Sequence, residues 1–442
     1  MDFNKLVNAI KEGSASASID NWELLGARSE FISTSTFVHE ISKVSSTVEE
    51  AISVRVIRDG KEGFASSDKC DEEEAVALLY KAYDNALVND KEVNASISEP
   101  DSNYREKEIV ESADYTLEDL NKIVLEAEAN IYKRDTRVKD GSNVSAAYEC
   151  SESYMANSKG LNLSSKDKGS FISAFAKVAE CEDVAVAREI ELGANSDLPA
   201  VVKEAVSQLG AGYVKSGSYP VVFSPDSMIQ ILDAFFPIFS GKSASLGLSR
   251  LKGKKGEKVA SSVVTLKDDP FYPGYPFQRS YDGDGKASYT KCVIENGILK
   301  TLLYNKEWAE KEGKESTANC SRSALSPTGS IAPYSFYLEK GSLSREDIFK
   351  EADGGIYITQ MKGFHAGANA ISGDFSIESA GFLIKDGKAE EAVKQFTVAG
   401  NIYSLLENII NLSDELEFDV TLSSSRIGSP DVLVKELSIA GV

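Results

Sequence analysis

The chain has two histidines, His39 and His365, in opposite halves of the sequence. A catalytic zinc helix of the H-E-x-x-H or H-E-x-x-x-H kind needs two imidazoles about one turn apart on one face, with a carboxylate beside them. Neither histidine here has a second within a turn. Any zinc site would have to gather carboxylates from distant segments, an unusual donor set for a catalytic zinc. The string Gly241-Lys242-Ser243 copies the end of a phosphate-binding loop. The place of that loop's first glycine holds Phe236, however, and the segment follows a helical pattern where a strand is needed. A Ser-His-Asp set could be drawn from His365, Asp374 and one of many serines, but no G-x-S-x-G elbow presents a nucleophile.

The stretch richest in functional side chains is residues 354–374, GGIYITQMKGFHAGANAISGD. It reads as a strand running into a glycine-rich loop. Gly363, Gly367 and Gly373 permit left-handed backbone and close approach, while Phe364, His365, Asn369, Ser372 and Asp374 supply an aromatic face and polar groups. Two readings stay open. The loop either meets a ligand or a neighbouring chain, or it spends its polar groups on its own backbone in a complicated turn.

The elements that must position this loop belong to a mixed α+β chain of 442 residues, long enough for more than one domain. Lys and Arg number 48 against 69 Asp and Glu, a formal charge of −21, so phosphate backbones are repelled and nucleic acid is disfavoured as a partner. The most apolar run, Ala234 to Phe239, is interrupted by Pro237 and is far short of the roughly 20 residues that span a bilayer. No export-signal pattern is read at the start, and the five cysteines are scattered with no C-x-x-C pair, which fits a reducing cytoplasm. Asp59-Gly60, Asn296-Gly297 and Asp386-Gly387 mark hairpin turns and hence antiparallel sheets. Asp71 with Glu74, and Thr116 with Asp119, read as helix starts. A helix from Asp197 ends at Gly210-Ala211-Gly212, and the domain boundary is placed there, giving domains 1–212 and 213–442.

In the second domain, Ser224-Pro225 starts a helix too apolar for the surface, running over 225–241. Arg250 to Lys258 reads as a flexible basic loop, either solvated or a contact surface for an acidic partner. Ile402, Leu405, Leu406, Ile409 and Ile410 form the apolar face of a helix capped by Asn401.

The core G-F-H-x-G-x-N-x-x-S-G-D-F-S at 363–376, the hairpin GFLIKDG and the helix start TVAGN resemble the TldD/PmbA family, known as modulators of DNA gyrase and as a peptidase family. ISVRVIRDGKEGFASS, YPVVFSPDSMIQILDAF, SSVVTLKDDP, STANCSR and the terminal PDVLVKELSIAG resemble further family blocks in order. Ala318 departs from the glycine usual in its block. TldD-type members carry H-E-x-x-x-H on the helix that corresponds to Met228–Gly241, plus a cysteine near the C-terminus; this chain has neither, and LSSSRIGSPDVL offers serines in place of the thiolate.

The resemblance therefore implies the PmbA/TldE-like branch: two α+β domains, an α/β layered first one and a second rich in antiparallel sheet that carries a degenerate, metal-free motif helix at 225–241. It implies a non-catalytic subunit of a cytoplasmic zinc metalloprotease that degrades or trims unfolded peptides and peptide-antibiotic precursors. No cofactor is expected in this chain, and zinc only in a TldD-like partner bearing H-E-x-x-x-H. The expected partners are that subunit, in a homo- or heterodimer, and an extended or unfolded peptide, with no membrane. Gly363, Phe364, His365, Gly367, Asn369, Ser372, Gly373 and Asp374 would line the peptide chamber or the subunit contact, and no residue here is expected to be catalytic. Two other classes stand beside this reading: a non-enzymatic homodimeric peptide-binding or scaffold protein, and a self-sufficient hydrolase without zinc.

Overall fold

A computed structural model describes residues 1–90, 96–108, 113–194, 197–274, 277–419 and 426–442. The first half is built on one antiparallel sheet of six strands in the order β3-β2-β1-β4-β5-β6. These are β1 (Trp22–Phe37), β2 (Glu40–Arg58), β3 (Lys61–Ser67), β4 (Asn143–Asn157), β5 (Asn162–Glu180) and β6 (Asp183–Leu192). Asp59 and Gly60 turn β2 into β3 with φ of 50° and 74°, as the dipeptide predicts.

Successive strand residues point to opposite faces, so even and odd positions part company. On one face Leu24, Ile32, Val144, Ala146, Ile172, Ala174, Ala176 and Val178 are buried beneath four helices. These are α1 (Phe3–Ala17), α2 (Glu72–Val88), α3 (Leu117–Arg134) and α4 (Pro199–Ser207). The other face carries Leu25, Ala27, Glu149, Ser151, Ser153, Met155, Ser165 and Asp167, which meet the second half of the chain. That face can be polar because a second body, not the helices, covers it.

Local capping fixes the helices. The Asp71 carboxylate accepts from the Glu74 amide at 2.9 Å to start α2, and Thr116 and Asp119 form a reciprocal capping box at α3. Helix α2 lies so close over β3 that a Cβ on Gly63 would sit 1.9 Å from the Ala82 carbonyl oxygen. Asn85 of α2 and Asn89 at its C-cap donate to the carbonyls of Phe64 and Glu62 at 2.9 and 2.7 Å, which blunts that sheet edge.

In the second half, strands 217–223, 356–362, 374–385, 388–401 and 432–440 pair in sequence, and 388–401 also pairs with 432–440, so this sheet closes on itself. Only the pair 217–223 with 356–362 is parallel. Another six-stranded sheet, with 266–268, 335–338 and 426–429 at its centre, packs on the same core. Between them lies α5 (Pro225–Phe235), capped by Ser224 and followed by a 3₁₀ turn at Phe236–Phe239 around Pro237. Its Met228, Ile231, Leu232 and Phe235 are buried, as its composition predicts.

Two expectations change. The helix expected over 225–241 ends as an α-helix at Phe235, because Pro237 has no N–H to continue the ladder and Phe236–Phe239 tightens into a 3₁₀ turn. The helix capped by Asn401 ends at Glu407, and Ile409–Leu412 is a strand pairing with 432–440. Spacing could not separate these outcomes, because Ile402, Leu405 and Leu406 bury one helical face while Ile409 buries as a strand residue. The adjacent β-branched Ile409 and Ile410 favour the strand.

The two halves are stitched by polar contacts. Lys394 pairs with Asp183 at 2.8 Å, Lys286 with Asp101 at 2.8 Å, and the Gln360 amide donates to the Val186 carbonyl at 3.2 Å. The tip of the Phe277 ring points at Gly169 of β5, where a Cβ would come within 2.2 Å of its Cζ. Gly212, at the expected boundary, bridges to Val393.

In this seam Glu204 of α4 is pushed from 4.5 to about 7 by burial and by the charges of Asp226 and Glu189. A carboxyl that holds its proton more tightly folded than unfolded costs stability once ionised. That cost is absent below pH 4.5, grows as pH rises, and is complete above about 7. Glu204→Gln is therefore expected to stabilise the protein by about 1–3 kcal/mol at pH 8 and to make no difference at pH 4, measured by denaturant unfolding at both values.

Candidate functional site

The loop singled out by sequence lies between two strands of the closed sheet. Gly363, at φ 87°, opens a single helical turn over Phe364–Gly367, and a Cβ on Gly367 would stand 2.4 Å from the Ser376 carbonyl oxygen. Phe364 is half-buried against the core. The Asn369 side chain accepts from the Ile371 and Ser372 amides at 2.9 and 3.2 Å, and its backbone N–H donates to the Asp374 carbonyl at 2.9 Å. The Ser372 hydroxyl accepts from the Asp374 amide. Gly373, at φ 82°, lies against the Tyr403 ring. Asn401 donates to the Asp374 carboxylate at 2.7 Å, and this bond with that of Ser372 holds Asp374 below its ordinary value.

All eight residues are thus brought into one turn, and the polar groups of Asn369, Ser372 and Asp374 are engaged within it. His365 is exposed and makes no side-chain hydrogen bond among the described residues. The basic loop is drawn in as well. The Arg250 guanidinium donates to the Ser372 carbonyl at 2.8 Å and lies over Tyr403, and Lys254 pairs with Glu257.

Helix α5 lies where the metallopeptidase motif is expected. Its buried face presents Met228, Ile231, Leu232 and Phe235, none with a nitrogen donor, and its carboxylates Asp226 and Asp233 are on the exposed side. His39 is remote in the first half, its ring tilted against Tyr132 and its ring nitrogen 4.0 Å from Glu128. This donor set does not fit a zinc ion, and no group of three His, Cys, Asp or Glu among the described residues could hold a metal. The serines at 423–425, which replace the expected thiolate, lie outside the described residues.

Sequence reasoning did not anticipate the cavity between the two halves, about 510 Å³ in volume. The odd-numbered face of the first sheet forms one wall. The other is built from residues 277–283, 320–324, Tyr334 and Arg426. Buried Asp268 anchors that wall, accepting from the Tyr334 and Ser335 amides at 2.8 and 3.1 Å, from Asn319 at 2.7 Å and from Lys291 at 3.1 Å. Burial alone would raise Asp268, but Lys291 and these donors outweigh it and hold the group below its usual value.

Asp282 is likewise spent on backbone, taking the Asp284, Lys286 and Cys320 amides at 3.0, 3.0 and 2.9 Å, and burial with the neighbouring Asp284 lifts it to about 6. Burial and the charges of Asp284 and Asp282 also push the Cys320 thiol far up, so it is no nucleophile. Two guanidiniums line the same wall, Arg279 4.3 Å and Arg426 5.6 Å from the centre of the Tyr334 ring.

Family models for the PmbA/TldA metallopeptidases match residues 22–86 as domain 1, 110–212 as the central domain and 216–441 as the C-terminal domain. The chain belongs to the PmbA/TldD family. The first two matched segments share a single sheet, because β1 pairs with β4 along their length. An uncharacterized protein of Methanocaldococcus jannaschii is 27% identical over 98% of this chain and all of its own. Metalloprotease PmbA of Escherichia coli O157:H7 is 22% identical over 97% of this chain and 94% of its own.

Among solved structures, TldE from Thermococcus kodakarensis superposes with a TM-score of 0.87 at 26% identity, covering 99% of this chain and all of that one. A Thermotoga maritima protein put forward as a modulator of a DNA gyrase gives 0.89 at 26% identity with the same coverage. Ala318, where the resemblance leads one to expect glycine, lies at φ 58°, the left-handed region that glycine enters at no steric cost.

The loop geometry separates its residues by role. Asn369→Ala is expected to cost about 1–2 kcal/mol by freeing two backbone amides, and His365→Ala to stay within about 0.5 kcal/mol. Denaturant unfolding of the two variants checks both.

Proposed function

We propose that this chain is the non-catalytic, TldE-like subunit of a TldD/TldE-type zinc metalloprotease that degrades or trims unfolded peptides and peptide precursors in the cytoplasm. The observation that carries the reading is the apolar buried face of α5, where a zinc subunit would carry two histidines and a glutamate. The likeness to TldE and to metalloprotease PmbA supports it, and no helix among the described residues is long and apolar enough to cross a membrane.

The role in this proposal is to hold an extended peptide and the zinc-bearing partner. Main-chain pairing needs an open sheet edge, and β2 offers one, because β3 covers only Ile52–Arg58 and leaves Glu40–Ala51 paired to β1 alone among the described residues. The loop 363–374 projects exposed His365 beside half-buried Phe364, an amphipathic tip suited to a subunit contact.

The test is a tagged pull-down from the native cells, with mass spectrometry of whatever is retained in stoichiometric amount and metal analysis of each component. The expected outcome is recovery of a relative bearing H-E-x-x-x-H, zinc in that relative only, and peptide turnover only by the mixture. Turnover by the purified chain alone would overturn the proposal. His365→Ala is expected to weaken the partner contact at unchanged stability, as read by titration of the two subunits.

A further inference from the structure

The hairpin of β1 and β2 reaches beyond the rest of its sheet. Strand β3 pairs with β2 only from Ile52 to Arg58, and a bulge at Ser42 interrupts β2 near its turn. Residues 43–51 are therefore a regular stretch of strand paired on one side only among the described residues. The direction of its backbone is fixed. The Ile57 amide donates to the Asn21 carbonyl at 3.0 Å, toward β1, and the N–H and C=O groups of successive residues alternate sides along a strand. Odd-numbered residues of β2 thus bond to β1, and Val44, Ser46 and Val48 hold their backbone groups out at the edge.

The side chains along this stretch are as open as the backbone. Val44 and Val48 share the face on which Ile52, Val54 and Val56 are buried beneath helices, yet they are 46% and 59% exposed. Lys43 and Glu49 lie on the opposite face, both exposed, and neither makes an ion pair among the described residues. A long edge with exposed valines and no proline invites a further strand.

The residues themselves indicate which strand. A second copy of the same edge can add antiparallel across a two-fold axis, so that every contact occurs twice. Facing residues must both turn their backbone groups across the edge or both away from it, which restricts the pairing to registers centred on a residue. With the centre at Ser46, Lys43 faces Glu49 of the second copy, Val44 faces Val48, and Ser45 faces Thr47. Moving the centre by one residue puts Lys43 opposite Thr47 or Ala51, and Val44 opposite Ser46 or Glu50. Only the register on Ser46 matches opposite charges, valine with valine and hydroxyl with hydroxyl, the cross-strand pairs that stabilise a sheet. The paired stretch, 43–49, also ends short of both the bulge at Ser42 and the start of β3 pairing at Ile52.

We infer that this chain pairs with a second copy of itself along β2, with Ser46 on the two-fold axis, joining two six-stranded sheets into one continuous sheet. An edge complementary to itself points to a second copy and not to an unlike chain. The inference goes beyond the function proposed above and constrains it, because a peptide held at β2 and a second copy need the same backbone groups, so each excludes the other.

The test is sedimentation velocity on the full chain over a concentration series at low ionic strength, where exposed ion pairs are least screened. The expected result is a monomer-dimer equilibrium whose dissociation constant rises about tenfold or more in Lys43→Glu and in Glu49→Lys, since each change sets two like-charged pairs across the axis. The double variant Lys43→Glu, Glu49→Lys is expected to restore the original constant to within about threefold. An equimolar mixture of the two single variants is expected to form a mixed dimer, in which both charge pairs are again opposite, and this recovery also shows that both variants are folded. A monomer at every concentration would overturn the inference, as would a dimer whose constant none of these changes moves. Weakening in both single variants with no recovery in the double variant or in the mixture would overturn the pairing as well.

Discussion

Glu23, near the start of β1, is a carboxylate with almost no exposure, gripped by Arg55 of β2 on one side and by Arg322 from the second half of the chain on the other. Burial alone would raise its pKa, but the two arginines more than offset this and keep it ionised. A triad of this kind adds little net stability compared with apolar packing, yet removing one member strands a buried charge at a cost of about 3–5 kcal/mol. It therefore works as a register pin. The halves cannot slide or rotate against each other without breaking it, and the cavity beside it keeps its shape for that reason.

With the halves pinned, the chemistry available to the molecule follows from which groups the seam leaves unsatisfied. Asp268 and Asp282 are consumed in shaping the wall that carries Tyr334 and the strand at Cys320. Helix α5 is consumed in filling the core shared by the two sheets of the second half. The cavity between the halves is lined by Arg279 and Arg426, by Glu149, Asp167 and Asp282, and by the rings of Phe277 and Tyr334, so both signs of charge stand beside aromatic surface.

Much of the architecture was legible from local signals. The caps at Asp71 and Thr116, the three hairpin dipeptides and the proline-started core helix depend on residues a few positions apart, and each forms where those residues stand. Ile409 was misread because helical spacing and a short strand bury the same residues. The loop 363–374 was found by its glycines, and Asn369 is engaged by its near neighbours in the turn, but the bonds of Asn401 to Asp374 and of Arg250 to the Ser372 carbonyl come from distant segments, invisible in a linear reading. The cavity was missed altogether. Glu23 and Arg322, or Arg279 and Tyr334, come together only through the fold, and nothing in their spacing announces it. One signal was available, the alternation of polar residues at 149, 151 and 153 in β4, which indicates a sheet face turned away from the helices.

That alternation bears on how the protein can change over generations. The even-numbered residues of Val144–Cys150 and Ile172–Val178 belong to the packed core, while odd-numbered Glu149, Ser151, Ser153, Met155, Ser165 and Asp167 line the cavity, so a mutation at these positions falls on one account or the other according to its parity. Drift among the odd positions can reshape what the cavity accepts while the helices stay seated on the opposite face. A lineage of such chains can therefore diverge in ligand preference well before it diverges in fold, and low overall identity between relatives of the same shape is what that freedom would leave behind.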